Sequence, residues 1–346
     1  GLDAQVNSVD WNSIVDRVFN NRIDQIAQGG EQYRRGEETP NITVYDEHAR
    51  FVGPKTIQTG NHVISGDQIV IAAGSRPVIP EVYADSGIKY YTNEDIMRMD
   101  HQPESLIVVG GGYIAMEFAH VFDGLGTKVT VVNRSETLLR HLDDDISRRF
   151  NQIARDRFDV RIANGTKLEK TDNGVRLELD NGESVEAEAI LVATGRTPNG
   201  DQMDLDKAGI KLLADARVST DEFGRTTAEG VWALGDVSSP YMLKHVANAE
   251  TRAVQHNLLH PEDLRPLPHD NVPAAIFTHP QIATVGLTEK QARQKGFDVT
   301  VKVQNFGDVA YGWAMEDSTG ICKLVADRAT GQLLGSHLMG PQASTL

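Results

Sequence analysis

The run Leu106-Ile107-Val108-Val109-Gly110-Gly111-Gly112-Tyr113-Ile114-Ala115 restricts the fold more than any other stretch of the chain. A short apolar strand meets a glycine turn of the form GxGxxA, and the spacing beyond it predicts a helix from Tyr113 to Gly124 and a second strand from Lys128 to Val132. Strand, helix and strand in so short a stretch make the smallest complete βαβ unit. Gly110 permits the tight turn, Gly112 lets the backbone approach a pyrophosphate, and Ala115 keeps the helix close to the strand. The amides at the helix start, Tyr113 and Ile114 among them, can then bind an anion. A packed turn without a ligand is the weaker reading, because both strands and the helix stand in place around the glycines.

The end of the second strand says which dinucleotide. A site for NAD puts Asp or Glu there, to accept hydrogen bonds from the ribose 2′-hydroxyl. This chain has Asn133 and Arg134 instead, with Arg140 six residues further along the loop. Guanidinium groups can grip a 2′-phosphate through charge-assisted hydrogen bonds, so the loop favours NADPH over NADH.

The rest of the chain reads as further α/β structure. Apolar positions from Asp10 to Ala27 recur at helical spacing. Short β-branched runs at Ile42–Tyr45, Ala49–Val52 and Ile69–Ala73 read as strands, and Arg76-Pro77-Val78-Ile79-Pro80 reads as a linker. Strands are expected at 161–163, 175–179, 189–193 and 231–234, and a helix at 244–259. From Val272 onward the pattern is a mixed sheet, with strands at 274–277, 299–303, 321–326 and 333–338 and a helix at 289–295.

Composition excludes several function classes. A chain of 346 residues with net charge −15 repels a phosphate backbone, and no basic patch offsets this, so no nucleic-acid partner is expected. The longest apolar stretch, Ser105 to Phe122, is broken by three glycines, Glu117 and His120, which disqualifies it as a membrane span. The single cysteine, Cys322, rules out an intramolecular disulfide framework and, with no leader-like opening, points to the cytosol. Its alternation with Ile321 and Lys323 on a predicted strand suggests a buried structural thiol. The 11 histidines and one cysteine show no metal-ligand spacing.

At this point the residues resemble a known family, the pyridine nucleotide-disulfide oxidoreductases of the glutathione reductase type, over nearly the whole chain. The run from Gly110 to Ala119 is similar to the family's NADPH turn, which implies that Tyr113 is the ring shielding the flavin and that Glu117 contacts the nicotinamide carboxamide. The run from Thr226 to Asp236, ending Leu234-Gly235-Asp236, is similar to the second flavin motif, which implies that Asp236 binds the ribitol of FAD. The segment 190–199, with Gly195 and Arg196, resembles the return to the flavin domain, whose arginine lies against the flavin. Ile69 to Pro77, with Ala73 and Gly74, resembles the outward crossing, and His48-Ala49 matches the strand whose backbone faces the adenine. The helix opening Leu243-Lys244-His245-Val246 would aim its positive end at the flavin carbonyl. Phe277 to Glu289 resembles the start of the dimer-interface domain.

The fold this implies is α/β, with FAD and NADPH Rossmann-like domains plus an α+β dimerisation domain. The expected divisions are 1–99 for the FAD-domain remainder, 100–198 for the NADPH domain, 199–270 for the returning segment and 271–346 for the interface domain. The implied activity is FAD- and NADPH-dependent reduction of a low-molecular-weight disulfide by a homodimer. A dihydrolipoamide dehydrogenase, a quinone- or metal-reducing relative, and a non-catalytic nucleotide-binding module remain open alternatives. The family pattern departs at both ends. Its first flavin glycine motif and redox Cys-x4-Cys are expected before Gly1, and its His-Glu pair after Leu346, so a fragment unable to turn over disulfides is expected. His245 and His279 lie in other motifs and are not assigned as that base.

Overall fold

The computed structural model describes residues 3–346 and divides the chain into two compact units. One takes the chain up to Arg76 together with Arg196–His269, and the other comprises Pro77–Gly195 and Asp270–Leu346. The chain therefore leaves the first unit, returns to it and leaves again.

In the first unit, Asp10 caps a helical run by accepting the Ser13 amide at 2.9 Å. The run continues through Trp11–Val15, a π-helical stretch Asp16–Ile23, and Asp24–Arg35. It is longer than its apolar period suggests, because Gly29 and Gly30 do not stop it. Trp11 is its one buried side chain, while Ile26 is 76 % exposed. An antiparallel meander follows, Ala49–Gly53, Thr56–Thr59 and His62–Ser65. Ile42–Tyr45, expected as a strand, forms none, since no strand among the described residues pairs with it. Ile69–Ile71 and Val231–Ala233 pair in parallel. Phe51, Ile71, Leu205, Val218, Val231 and Val237 form the core behind them.

The second unit contains a parallel sheet in the order Ala189–Val192, Ser105–Val109, Lys128–Asn133, Asp159–Ile162. Ala189–Val192, Ser105–Val109 and Lys128–Asn133 are largely apolar and buried, as strands covered on both faces of a parallel sheet are, whereas Asp159–Ile162 at the edge is not. The helix Tyr113–Gly124 has the bounds its spacing predicts. A second helix, Asp144–Arg157, is missed by the sequence reading because charge dominates its composition. Ile146, Phe150 and Ala154 nevertheless recur at helical spacing behind the cap Asp143, and all three are buried. An antiparallel sheet of Gly165–Thr171, Gly174–Leu179 and Ser184–Ala187 packs Leu168, Leu177 and Val185 with Ile107 and Ile190.

The terminal part is a five-stranded antiparallel sheet, ordered Ala274–Ile276, Gln281–Gly286, Leu333–Gly340, Ile321–Asp327, Val299–Asn305. A capping box at Thr288 and Gln291 opens its helix Glu289–Gln294. Two expectations need correction. The supposed linker at 76–80 begins inside a short strand, Ser75–Pro77, because a Pro at a strand end costs no ladder bond. Cys322 is half-buried, since the packed face of its strand is that of Ile321, Lys323, Val325 and Asp327. Burial still pushes its thiol pKa up. Among the described residues no helix is long and apolar enough to cross a membrane.

His120, on the inner face of Tyr113–Gly124, is 6 % exposed and stands edge-on to Phe158 at 4.8 Å. Burial pushes its pKa down to about 4, against the opposing bond from Nδ1 to the Met116 carbonyl at 2.7 Å. A neutral histidine in the fold contributes stability that is complete above the unfolded value of 6.5 and is lost as pH falls towards 4. Full loss amounts to about 3 kcal/mol. Urea unfolding of the wild type and of His120→Leu at pH 7.5 and pH 4.5 checks this: the wild type should lose more stability between the two by about 2 kcal/mol or more, and equal losses would refute the assignment.

Candidate functional site

The glycine turn is built from three different requirements. Gly110 has φ +128°, and a Cβ there would stand 2.3 Å from the Ala193 carbonyl oxygen, so neither the conformation nor the space admits a side chain. Its amide donates to Val132 O at 2.9 Å while Ala193 N donates to Val109 O at 2.8 Å, which ties the turn to both neighbouring strands. At Gly111 a Cβ would fall 2.7 Å from the Asn133 side chain, whose Nδ2 donates to Ser135 O at 2.6 Å. Gly111 is a requirement the sequence pattern leaves unassigned, and only the buried position of Asn133 reveals it. Gly112 is different. With φ −84° and ψ 179° it caps the helix, and a Cβ there would meet nothing within 4 Å.

The open side of Gly112 is therefore where a ligand can approach. No side chain caps this helix, whose first residues are Tyr113 and Ile114, and Ala115 is buried against the sheet. Tyr113 is 40 % exposed at the mouth of the turn. Glu117 is half-buried, and Oε1 accepts the Phe277 amide at 2.8 Å. Burial raises its pKa, opposed by that bond. Arg134 and Arg140 are both exposed on the loop after Asn133. Leu139, just before Arg140, has φ +50° and donates its amide to Gly111 O at 2.8 Å, which folds the loop back onto the glycine turn. These residues fit a dinucleotide phosphate.

The first unit holds a second polar assembly. Ser75 Oγ donates to Asp236 Oδ2 at 2.7 Å and accepts from Arg196 Nε at 2.8 Å, while Arg196 Nη2 donates to Ser75 O at 2.7 Å. Asp236 sits at the end of strand Val231–Ala233, following Gly235 at φ +73°. The Gly235 amide donates to Glu250 Oε2 at 2.6 Å, and the other oxygen of Glu250 faces His269 Nε2 at 2.6 Å. Glu250, fully buried, was not singled out from the sequence. Its signal is faint: a carboxylate on the inward face of a helix, which is rare without a partner. Gly74, φ +68°, accepts the Asn199 amide at 3.0 Å, and Ala73 O accepts from Asn199 Nδ2 at 2.9 Å. The helix Lys244–Leu259 opens at Leu243 without a side-chain cap, with Lys244 and His245 exposed and Val246 buried. His48 and Ala49 are exposed, and His48 Nε2 bonds to Gln202 O at 2.7 Å. Gly195, φ +149°, belongs to the second unit, where its carbonyl accepts the Val78 amide at 2.9 Å. A carboxylate fixed by a hydroxyl, beside an arginine and an uncapped helix start, fits a polyol and an electron-rich ring.

Residues 5–253 match the family model described as pyridine nucleotide-disulphide oxidoreductase, and residues 272–346 match that family's dimerisation domain. The chain belongs to the pyridine nucleotide-disulphide oxidoreductases. The cofactors of this family are FAD and NAD(P)H, and its members include flavoprotein disulfide reductases. Mycothione reductase of Mycobacterium tuberculosis (strain H37Rv) is 52 % identical over 359 residues, an alignment covering 100 % of this chain and 77 % of that protein. Glutathione reductase of Burkholderia cepacia is 30 % identical, with 100 % and 76 % covered. Among solved structures, the HOCl-induced flavoprotein disulfide reductase RclA from Escherichia coli superposes with a TM-score of 0.85 at 27 % identity, covering 97 % of this chain and 78 % of that one. In this oxidoreductase, then, the glycine turn and the Asp236 assembly are the places where cofactor binding is to be tested.

The three glycines separate stability from binding. Gly112→Ala should cost under about 1 kcal/mol of stability, since its backbone angles suit alanine, yet weaken nucleotide binding by filling the open side. Gly110→Ala should cost several kcal/mol, on the order of an overpacked and strained core site. Thermal melts and nucleotide titrations of both variants check this, and equal behaviour of the two would contradict the geometry.

Proposed function

We propose that this oxidoreductase uses NADPH and FAD to reduce mycothione, the disulfide of mycothiol. The observation that carries the reading is the 52 % identity to a mycothione reductase along the whole chain. Residues 237–248 and 307–317 support it, since among members of the family they look most like that enzyme. The proposed setting is a cytoplasmic homodimer with residues 271–346 as its interface domain.

When bound, the two cofactors supply hydride transfer and a two-electron relay to a dithiol. This chain's residues bind, orient and shield. The amides around Gly110 and Gly112 take the pyrophosphate, and Ala115 holds the helix close enough for them to reach it. Arg134 and Arg140 hold the 2′-phosphate. Glu117 keeps Oε2 for the nicotinamide carboxamide while the Phe277 amide fixes Oε1. Tyr113 covers the nicotinamide position until the nucleotide enters. In the first unit Asp236 takes the ribitol hydroxyls, oriented by Ser75 on one side and by the Glu250 bond to Gly235 on the other. Arg196, His48, Ala49, Ala73 and Gly74 would hold the FAD, and the opening of helix Lys244–Leu259 would favour negative charge on a ring bound there.

Disulfide exchange needs one thiolate to attack and a second thiol to resolve the mixed disulfide. Residues 1–346 hold one cysteine, Cys322, on the terminal sheet. We therefore infer that these residues by themselves do not turn over a disulfide.

Arg134→Glu should lower the preference for NADPH by at least about 1.5 kcal/mol, the value of a charged hydrogen bond; steady-state or binding measurements that keep the original preference would remove Arg134 from the reading. In rapid-mixing experiments Tyr113→Ala should change flavin reduction by NADPH while the melting temperature stays nearly constant. Normal reduction with a large fall in melting temperature would make Tyr113 a packing residue. NADPH oxidation with mycothione should be absent for residues 1–346, and turnover at an enzymatic rate would overturn the dithiol argument.

A further inference from the structure

Lys323 lies on strand Ile321–Asp327 of the terminal sheet and is 1 % exposed. Its ammonium is 2.9 Å from Asp143 Oδ1, 2.6 Å from Asp145 Oδ2 and 2.8 Å from Glu289 Oε2. A lysine is almost never this buried unless paired. Burial alone pushes its pKa down, but the bonds to Asp145, Glu289 and Asp143 together hold it above the ordinary lysine value.

Asp145 and Glu289 also bond to Arg148 and Arg293, whereas Asp143 turns its remaining capacity to backbone amides. It is itself buried, and it caps helix Asp144–Arg157, with Oδ1 accepting the Asp145 amide at 3.1 Å. Oδ2 accepts the Glu289 amide at 3.1 Å. Both oxygens are thus committed, and with Lys323 removed the carboxylate would be a buried charge short of its counterion. Asp143 also closes the loop that carries Arg134 and Arg140. Counting back from it, the Leu142 amide donates to Leu139 O at 3.1 Å, and Leu139 N is bound to Gly111 O. Leu138 is held from behind, its amide donating to Asn151 Oδ1 at 2.8 Å. Arg140 therefore sits on a single turn with one foot on the glycine turn and the other on Asp143. The first foot is local; the second is fixed by a lysine 180 or so residues away in sequence, a separation the Lys323–Asp145 bond gives as 178.

We propose that Lys323, although part of the dimerisation domain, is a positioning residue for nucleotide selectivity: by holding Asp143 it sets the turn that presents Arg140 to the 2′-phosphate. The proposal rests on the reading of Arg134 and Arg140 as the 2′-phosphate grip. If the cluster were only a dock between the sheet and two helices, its loss would weaken NADP⁺ and NAD⁺ binding alike. A positioning role changes their ratio.

The test is calorimetric titration of the full chain with NADP⁺ and with NAD⁺, for the wild type, Lys323→Met, Asp143→Asn and the double variant. Asp143→Asn keeps an N-cap side chain of the same shape, so it carries the test even if Lys323→Met does not fold. The expected result is that the NADP⁺ to NAD⁺ affinity ratio falls by about tenfold in each single variant, with NAD⁺ affinity within about threefold of wild type. The double variant should fall no further, as befits two residues acting as one pair. Ratios kept within about twofold of wild type in the folded variants would overturn the proposal. Arg134→Glu separates the two failures: a ratio lost there but kept in the cluster variants defeats this proposal alone, whereas a wild type without any NADP⁺ preference defeats the selectivity reading and the proposal with it.

Discussion

The approach of Gly110 to the Ala193 carbonyl is the constraint on which the nucleotide end of the second unit depends. Two parallel strands, Ser105–Val109 and Ala189–Val192, must end close enough for Ala193 N to reach Val109 O, and the turn between strand and helix must pass through the remaining gap. A side chain at Gly110 would occupy the space of a backbone oxygen, which cannot move without parting the strands. Once the turn is fixed, the rest follows from geometry. The helix Tyr113–Gly124 starts without a side-chain cap, Gly112 is open on one side, and Asn133 closes the other side over Gly111. What looks like one glycine motif is a backbone packing requirement at the first position, a side-chain packing requirement at the second and an opening at the third.

Buried ionisable groups do the longer-range positioning in both units. In the first unit Glu250 holds the Gly235 amide, and so the turn that presents Asp236, while its second oxygen is matched by His269. In the second unit Asp143 holds two amides and is matched by Lys323. The physical logic is shared. A carboxylate is a directional acceptor that can fix backbone N–H groups on separate segments, and burial strengthens those bonds, provided that a cation or donor neutralises the remaining charge. Removing the cation or donor leaves the buried carboxylate uncompensated, so such pairs transmit a substitution to residues that neither side chain touches.

Much of this was legible in the sequence, though unevenly. The helices at Tyr113–Gly124 and Lys244–Leu259 follow from apolar spacing and have the expected bounds. The helix Asp144–Arg157 escapes because its charged residues dilute the apolar stripe, although the cap Asp143 and the period of Ile146, Phe150 and Ala154 mark it. Strands are harder. Ile42–Tyr45 has strand composition and no partner among the described residues, whereas Gln281–Gly286, unread as a strand, pairs on both sides. Strand composition says that a segment can pair, and the ladder forms only where another segment is brought alongside. Cys322 shows the same limit: alternation was visible, but the packed face was that of Ile321 and a fully buried lysine.

The βαβ unit, its glycine turn and the start of its helix were readable from the residues alone, because these depend on backbone conformation and on periodicities within a few tens of residues. It also determined that Arg134 and Arg140 stand where an acidic residue would otherwise be. Tertiary structure alone decided that Asn133 covers Gly111, that Glu250 reaches Gly235, and that Lys323 is the counterion of Asp143. These pairings join segments whose separation is fixed only when the sheets and helices pack, and a polar side chain reveals its partner only when burial has removed water as the alternative.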